Sequence, residues 1–368
     1  MPTRLLTSLR ATMVVLAALT GAQCSASDAS LEQHPGGVIL VYHHVALDTP
    51  ASTSVSPQRF AEHLELIEQG GYAVIALQRL IDAIEQSEPV PPRSVAITFD
   101  DAYRSVYTEA LPALEARGWP FTVFVSTQAV DDGHANTMTW YQLRELETRG
   151  GSVANHSRDH DHLVRPRPGE AQETWRARVS EDLLAAQGRL DEELEQPLAV
   201  FAYPYGEFDL EIKELVRTLG FRAVGQQSGP VGPDTDLSAI PRFPLATGFD
   251  SLDRLREKLD TVALPVNVLR PESNTLAANA GPPELELVVT PGSIDPDQLV
   301  CYVPGQPPAN IRWVNRSAGR LTVTAREPLA PGRSKYTCTA PSTRVAGAYH
   351  WYSHLWMKPN PDGSWPTD

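Results

Sequence analysis

Between Gly37 and Leu264 the chain alternates short, continuously apolar runs with segments of helical periodicity, and this alternation restricts the fold more than any other feature. Val38–Tyr42 reads V-I-L-V-Y and leaves no position for water, as in a strand buried on both faces. Val95–Phe99 reads as another strand of this buried type, and Phe121–Val125, Leu198–Ala202 and Phe221–Val224 read as further strands. Helices fall between them. Ser56-Pro57 supply an N-cap and a first-turn proline, Phe60, Leu64 and Ile67 form one apolar stripe, and Gly70-Gly71 end the helix. Ala110, Leu111 and Leu114 mark a second helix. Thr139 and Gln142 are spaced as a capping box that opens a third, which stops at Gly150-Gly151, and a fourth runs through Leu215 and Leu219 to Gly220. The βαβα order predicts a parallel sheet covered by helices, either an open α/β sheet or an α/β barrel. In both, chemistry gathers beyond the carboxyl ends of the strands.

Three predicted strand ends carry polar clusters. Val95–Phe99 runs into Asp100-Asp101, two carboxylates that repel unless a cation or a proton joins them; the alternative is a solvated turn. After Ser152–Ala154 come His156 and His160, four apart, a spacing that lets two imidazoles face one metal, against the alternative of a surface histidine cluster. Val38–Val41 leads to Tyr42-His43-His44, of which one histidine points into the mouth of the sheet. One Asp with two His makes a three-ligand set that leaves positions open for water and substrate.

In chain order, T-F-D-D (Thr98–Asp101), H-S-x-x-H (His156–His160) and F-A-Y-P-Y-G (Phe201–Gly206) resemble the NodB-homology polysaccharide deacetylases, carbohydrate esterase family 4. The resemblance covers roughly 37–265 and implies a distorted, incomplete (β/α) barrel. Carried over residue by residue, it implies Asp101, His156 and His160 as metal ligands, Asp100 as general base, and Tyr205 as the residue whose backbone N–H helps hold the oxyanion. Two positions depart from the family. Ala202 stands where the family has an arginine, and Val266–Arg270 lacks the histidine of the usual C-terminal L-x-H motif. Both departures resemble the circularly permuted branch that includes poly-β-1,6-N-acetylglucosamine deacetylases, in which an N-terminal strand ending in Tyr-His supplies the acid. The resemblance thus implies His43 as general acid, with His44 as the alternative, and Arg242 as the displaced arginine.

The implied chemistry needs these groups. A divalent metal, zinc with cobalt or nickel as alternatives, polarises an acetamide and acidifies water. Asp100 takes the water's proton, the Tyr205 N–H and the metal stabilise the tetrahedral oxyanion, and His43 protonates the departing amine. The implied substrate is an N-acetylglucosamine-containing polysaccharide, with exopolysaccharide favoured by the permuted branch. An O-acetyl esterase would use the same site. A catalytically silent glycan-binding or matrix protein is the rival from another class, and the retention of the whole Asp-Asp, His-x-x-x-His and Tyr-His set argues against it.

The flanks read differently. Arg4 and Arg10 precede the apolar run Ala11–Ala22, followed by small residues through Ala26, which reads as a signal peptide over 1–26. Export to the periplasm or beyond follows, with a lipid anchor at Cys24 or an uncleaved signal as the membrane-associated alternatives. Cleavage after Ala26 leaves Cys301 and Cys338, an even pair suited to a disulfide in an exported protein. Residues 266–283 end in Gly-Pro-Pro and read as a linker. From 284 to 368 short alternating strands predict a small all-β domain; Cys301, Trp313 and Tyr336-x-Cys338 resemble the pattern of an immunoglobulin-like sandwich. Of the formal charge of −14, residues 25–280 carry −17. Phosphate backbones attract Lys/Arg stripes, so an acidic main domain argues against a nucleic-acid substrate.

Overall fold

The computed structural model describes residue 1 and residues 36–343, 345 and 347–366. The N-terminal segment read as a signal peptide, Cys24 included, lies outside the described residues. No helix among the described residues is long and apolar enough to cross a membrane.

The predicted alternation is the core of the fold. Eight strands form one all-parallel sheet: β1 (Val38–Tyr42), β2 (Ala73–Val74), β3 (Ser94–Phe99), β4 (Phe121–Val125), β5 (Gly151–Asn155), β6 (Leu198–Ala202), β7 (Arg222–Val224) and β8 (Phe243–Pro244). Their order is β8-β1-β3-β4-β5-β6-β7, with β2 beside the start of β3. The helices between them are α1 (Pro57–Gln69), α2 (Leu77–Gln86), α3 (Leu111–Glu115), α4 (Thr127–Asp131), α5 (Trp140–Thr148), α6 (Gln172–Glu193) and α7 (Leu210–Thr218). Their caps act as the sequence indicates. Ser56 accepts from the Arg59 N–H, and Thr139 and Gln142 complete a reciprocal capping box.

One short segment draws the two edges of the sheet together. Ile240 bridges to Val224 at the end of β7, and three residues further on Phe243 pairs with Leu40 of β1. Residues 240–244 therefore close a distorted (β/α) barrel, and Arg242 lies at the centre of the closure.

Strand periodicity sorts the side chains. Val38, Leu40 and Tyr42 join the apolar cluster under α1, together with Val95, Ile97 and Phe99 of β3. Ile39 and Ala96 belong to the other face, with Phe124, Ala154, Val200, Ala202, Val224 and the apolar stripe of α2. A period of two then places His43 in step with Ile39, Asp100 in step with Ala96 and His156 in step with Ala154. Three polar groups from three strands thus emerge on the inner face of the barrel.

The C-terminal part is all-β, as predicted. Its strands are β9 (Thr261–Ala263), β10 (Val266–Arg270), β11 (Glu284–Val289), β12 (Val300–Tyr302), β13 (Asn310–Asn315), β14 (Arg320–Thr324), β15 (Gly332–Pro341) and β16 (Tyr349–Lys358). They form two four-stranded sheets, β9-β16-β15-β12 and β10-β11-β14-β13. Leu285, Leu287, Leu321, Val323, Tyr336 and Trp356 fill the core between them. Two expectations need correcting. The stretch 266–283 does not begin as a linker, because Val266–Arg270 pairs antiparallel with β11. The Cys301–Cys338 bridge forms, but its cysteines face each other on neighbouring strands of one sheet, whereas the immunoglobulin pattern links two sheets. Trp313 is only partly buried, and Trp356 takes the central place.

Candidate active site

The carboxyl ends of β1, β3, β5 and β6 bring the predicted residues to one mouth. Oδ1 of Asp101 lies 3.3 Å from Nε2 of His156 and 3.2 Å from Nε2 of His160, and all three donor atoms fall within 4.8 Å of one another. Nδ1 of His156 sits 2.7 Å from the Ala202 carbonyl oxygen, which can only accept. That contact holds a proton on Nδ1 and turns Nε2 toward Asp101, the outer-shell arrangement that orients a metal-ligating imidazole. The donor set therefore fits a divalent cation: one carboxylate oxygen and two imidazole nitrogens, with His156 buried and the other two part-exposed.

Asp100 is completely buried and meets Arg242 through two parallel 2.7 Å hydrogen bonds. The guanidinium is equally buried and also donates to the Gly225 carbonyl (2.8 Å) and the Thr98 hydroxyl (3.1 Å). Burial alone would raise the Asp100 carboxyl; the Arg242 charge and hydrogen bonds outweigh it and hold the group below its ordinary range. Asp101 likewise resists burial through hydrogen bonds from His156 and His160, which hold it well below that range. Nε2 of His43 lies 4.0 Å from Oδ2 of Asp100. His44 instead stacks on Tyr103, ring centroids 3.5 Å apart. The parity of β1 thus separates two histidines that the sequence leaves adjacent.

The backbone is strained where these groups gather. Asp101 (φ 69), Ala102 (φ 51), Ser157 (φ 66), His160 (φ 56) and Tyr205 (φ 59) all adopt left-handed conformations without being glycine. Each costs roughly 1–2 kcal/mol, and such strain collects at functional sites. Tyr205 follows β6 in a tight turn in which the Gly206 N–H donates to the Tyr203 carbonyl. Its ring meets His160 edge-on at 4.7 Å and stacks on His162 at 3.7 Å.

Several neighbours escape a reading by strand ends. Tyr103, three residues after Asp100, hydrogen-bonds to Asp101; burial and that carboxylate push its hydroxyl above the usual value. Glu207 is buried and takes Nδ1 of His162 (2.9 Å) and a guanidinium nitrogen of Arg165 (2.6 Å). Arg333, from the all-β part, donates to the Tyr205 carbonyl. The T-F-D-D-A-Y run offers a signal for Tyr103, whereas Arg333 contacts a residue 128 positions away and leaves no local one.

A barrel with an Asp-His-His donor set and a buried carboxylate at its mouth has the makings of a metal-assisted hydrolase. Residues 87–224 match the family model for polysaccharide deacetylase, so the chain carries a polysaccharide deacetylase domain and is a hydrolase. His43 and Arg242 lie on either side of the matched stretch. The chain is 26% identical over 205 residues to the poly-β-1,6-N-acetyl-D-glucosamine N-deacetylase of Staphylococcus epidermidis (strain ATCC 35984), covering 54% of this chain and 71% of that protein. It is 23% identical over 265 residues to the Escherichia coli (strain K12) protein of the same name, covering 62% of this chain but only 39% of that protein. Among solved structures it resembles IcaB from Ammonifex degensii, with 27% identity and a TM-score of 0.54 over 62% of this chain and 98% of that one.

Proposed function

We propose that the protein removes N-acetyl groups from an N-acetylglucosamine-containing polysaccharide, with an exopolysaccharide as the favoured polymer. The observation that carries this reading is the convergence of His43, Asp100 and the Asp101-His156-His160 set within one mouth. The names of the staphylococcal and E. coli relatives support the polymer.

In this reading Asp101, His156 and His160 hold a divalent metal, zinc in preference to cobalt or nickel. When bound, such a cation polarises the acetamide carbonyl and acidifies water. Asp100 accepts the proton of the attacking water, and Arg242 keeps the carboxylate ionised and aimed. The Tyr205 N–H donates to the oxygen on which negative charge develops. His43 hands a proton to the amine as the C–N bond breaks; an amine anion is a poor leaving group, so the amide depends on that proton. Export fits both the N-terminal pattern and the Cys301–Cys338 bridge.

A panel of defined acetylated oligomers tests the reading: β-1,6-linked and β-1,4-linked N-acetylglucosamine beside an O-acetylated xylan. Acetate release from the β-1,6-linked oligomer, exceeding that from the ester, is expected. Release from the O-acetyl substrate alone would replace the proposal with an esterase.

A further inference from the structure

The β-sandwich reaches into the active-site wall. Along β15, Tyr336, Cys338 and Ala340 point into the sandwich core, so Arg333 and Lys335 project from the opposite face. That face meets the barrel. Nζ of Lys335 lies 2.6 Å from the Ser228 hydroxyl, and the Trp351 indole N–H donates to the Ser228 carbonyl at 2.8 Å. Phe243, next to Arg242, packs edge-on against Trp351 at 5.3 Å. Arg333 reaches the turn after β6. Its Nη1 donates to the Tyr205 carbonyl, its guanidinium carbon stands 5.9 Å from the Tyr205 ring, and its Nε is 3.9 Å from the buried Glu207 carboxylate.

These contacts bear on one peptide. Tyr205 has φ 59 and ψ 3, a conformation a tyrosine avoids unless its surroundings impose it. Two devices within the barrel contribute. Gly206 at φ 67 approaches Gln226 so closely that an added Cβ would come within 2.6 Å of its side chain, and His162 clamps the tyrosine ring. The third is the charged donor on the Tyr205 carbonyl, which comes from the other domain. Holding that carbonyl fixes the rotation of the 205–206 peptide and, through Tyr205 itself, the direction of the preceding N–H. Glu207, the following residue, keeps the guanidinium in place by its charge.

We propose that Arg333 is a positioning residue for the oxyanion turn, so that the C-terminal β-sandwich completes the active site. The inference rests on the deacetylase reading, in which the Tyr205 N–H meets the developing charge. Arg333 touches no reacting atom, and its effect passes entirely through the Tyr205 backbone.

The test uses the full chain with Arg333→Ala and Arg333→Lys. With metal loaded, Arg333→Ala should lower kcat on an acetylated oligomer by about 10- to 100-fold, the scale of a slightly misplaced catalytic group. KM, metal stoichiometry and melting temperature should stay at the wild-type values. Guanidinium ion added to Arg333→Ala should restore part of kcat, and Arg333→Lys, which keeps a cationic donor, should fall between. Hydrogen exchange gives a readout that needs no substrate: amides of 203–207 should exchange faster in Arg333→Ala, with those of 38–42 and 94–99 unchanged. An unchanged kcat with unchanged exchange at 203–207 overturns the proposal, as does a loss of kcat matched by loss of metal or of melting temperature. If the wild-type protein releases no acetate while exchange at 203–207 still quickens, the positioning stands and the deacetylase reading falls.

Discussion

Replacing Arg242 with Met should destabilise the protein in a way that depends on pH. The substitution keeps much of the side-chain volume, removes both 2.7 Å bonds to Asp100, and leaves a carboxyl with no exposed surface. Breaking a buried pair by removing one partner costs about 3–5 kcal/mol. A second estimate comes from the proton. Asp100 without its guanidinium escapes the penalty of a buried charge by protonating. From a reference value of 3.8 this costs about 4 kcal/mol at pH 7 and about 1.6 kcal/mol at pH 5, at 1.36 kcal/mol per unit. The two estimates agree at neutral pH.

The sign of the pH effect follows from the two pKa directions. In the wild type the folded pKa lies below 3.8, so Asp100 is ionised in both states from pH 5 to 7 and contributes no slope there. The stability it supplies is lost only as pH falls through the depressed folded value. In Arg242→Met the folded pKa rises, so the unfolded state binds fewer protons and stability falls as pH increases above about 4. Urea denaturation of both proteins at pH 5, 6 and 7 should show the gap widening by about 1.4 kcal/mol per pH unit. A gap under 1 kcal/mol at pH 7, or one that does not change with pH, would refute the buried-pair argument.

Three further outcomes are expected. His43→Asn should lower amide turnover by about 10²–10⁴-fold, leave metal content unchanged and harm an ester less, as steady-state kinetics on matched substrates would show; near-normal amide turnover would eliminate His43 as the acid. His156→Ala combined with His160→Ala should abolish stoichiometric metal binding, measured by elemental analysis, and stoichiometric metal retained by the double variant contradicts the ligand assignment. The paired change Cys301→Ala and Cys338→Ala, which opens a loop with a sequence separation of 37, should cost about 2–4 kcal/mol in denaturant while the barrel's metal content persists.

Local signals made the barrel strands legible, since apolar runs such as V-I-L-V-Y and the Thr139–Gln142 box act within a few residues. Asp101, His156 and His160 were legible as a set because strand ends share one rim. The choice of His43 over His44 needs only the parity of β1 once Ile39 is known to face inward. Arg242 is different: nothing in Ile240-Pro241-Arg242 announces that Ile240 and Phe243 bridge opposite sheet edges, and the resemblance alone pointed there. Val266–Arg270 resembled a linker because four of its five residues are exposed, so hydrophobic patterning had little to mark. Its strand character comes from pairing with β11. Arg333 and Glu207 lay beyond any local reading, because their meeting depends on how the sandwich docks against the barrel.

The central claim is that the Asp101-His156-His160 set, loaded with one divalent ion, drives amide hydrolysis. The most direct measurement strips the purified protein with chelator, adds Zn²⁺ in steps, and follows acetate released from a β-1,6-linked N-acetylglucosamine oligomer. Activity should be absent after stripping, rise in proportion to added metal and level off at one ion per chain. Undiminished acetate release from the stripped protein, or none at any metal loading, would contradict it.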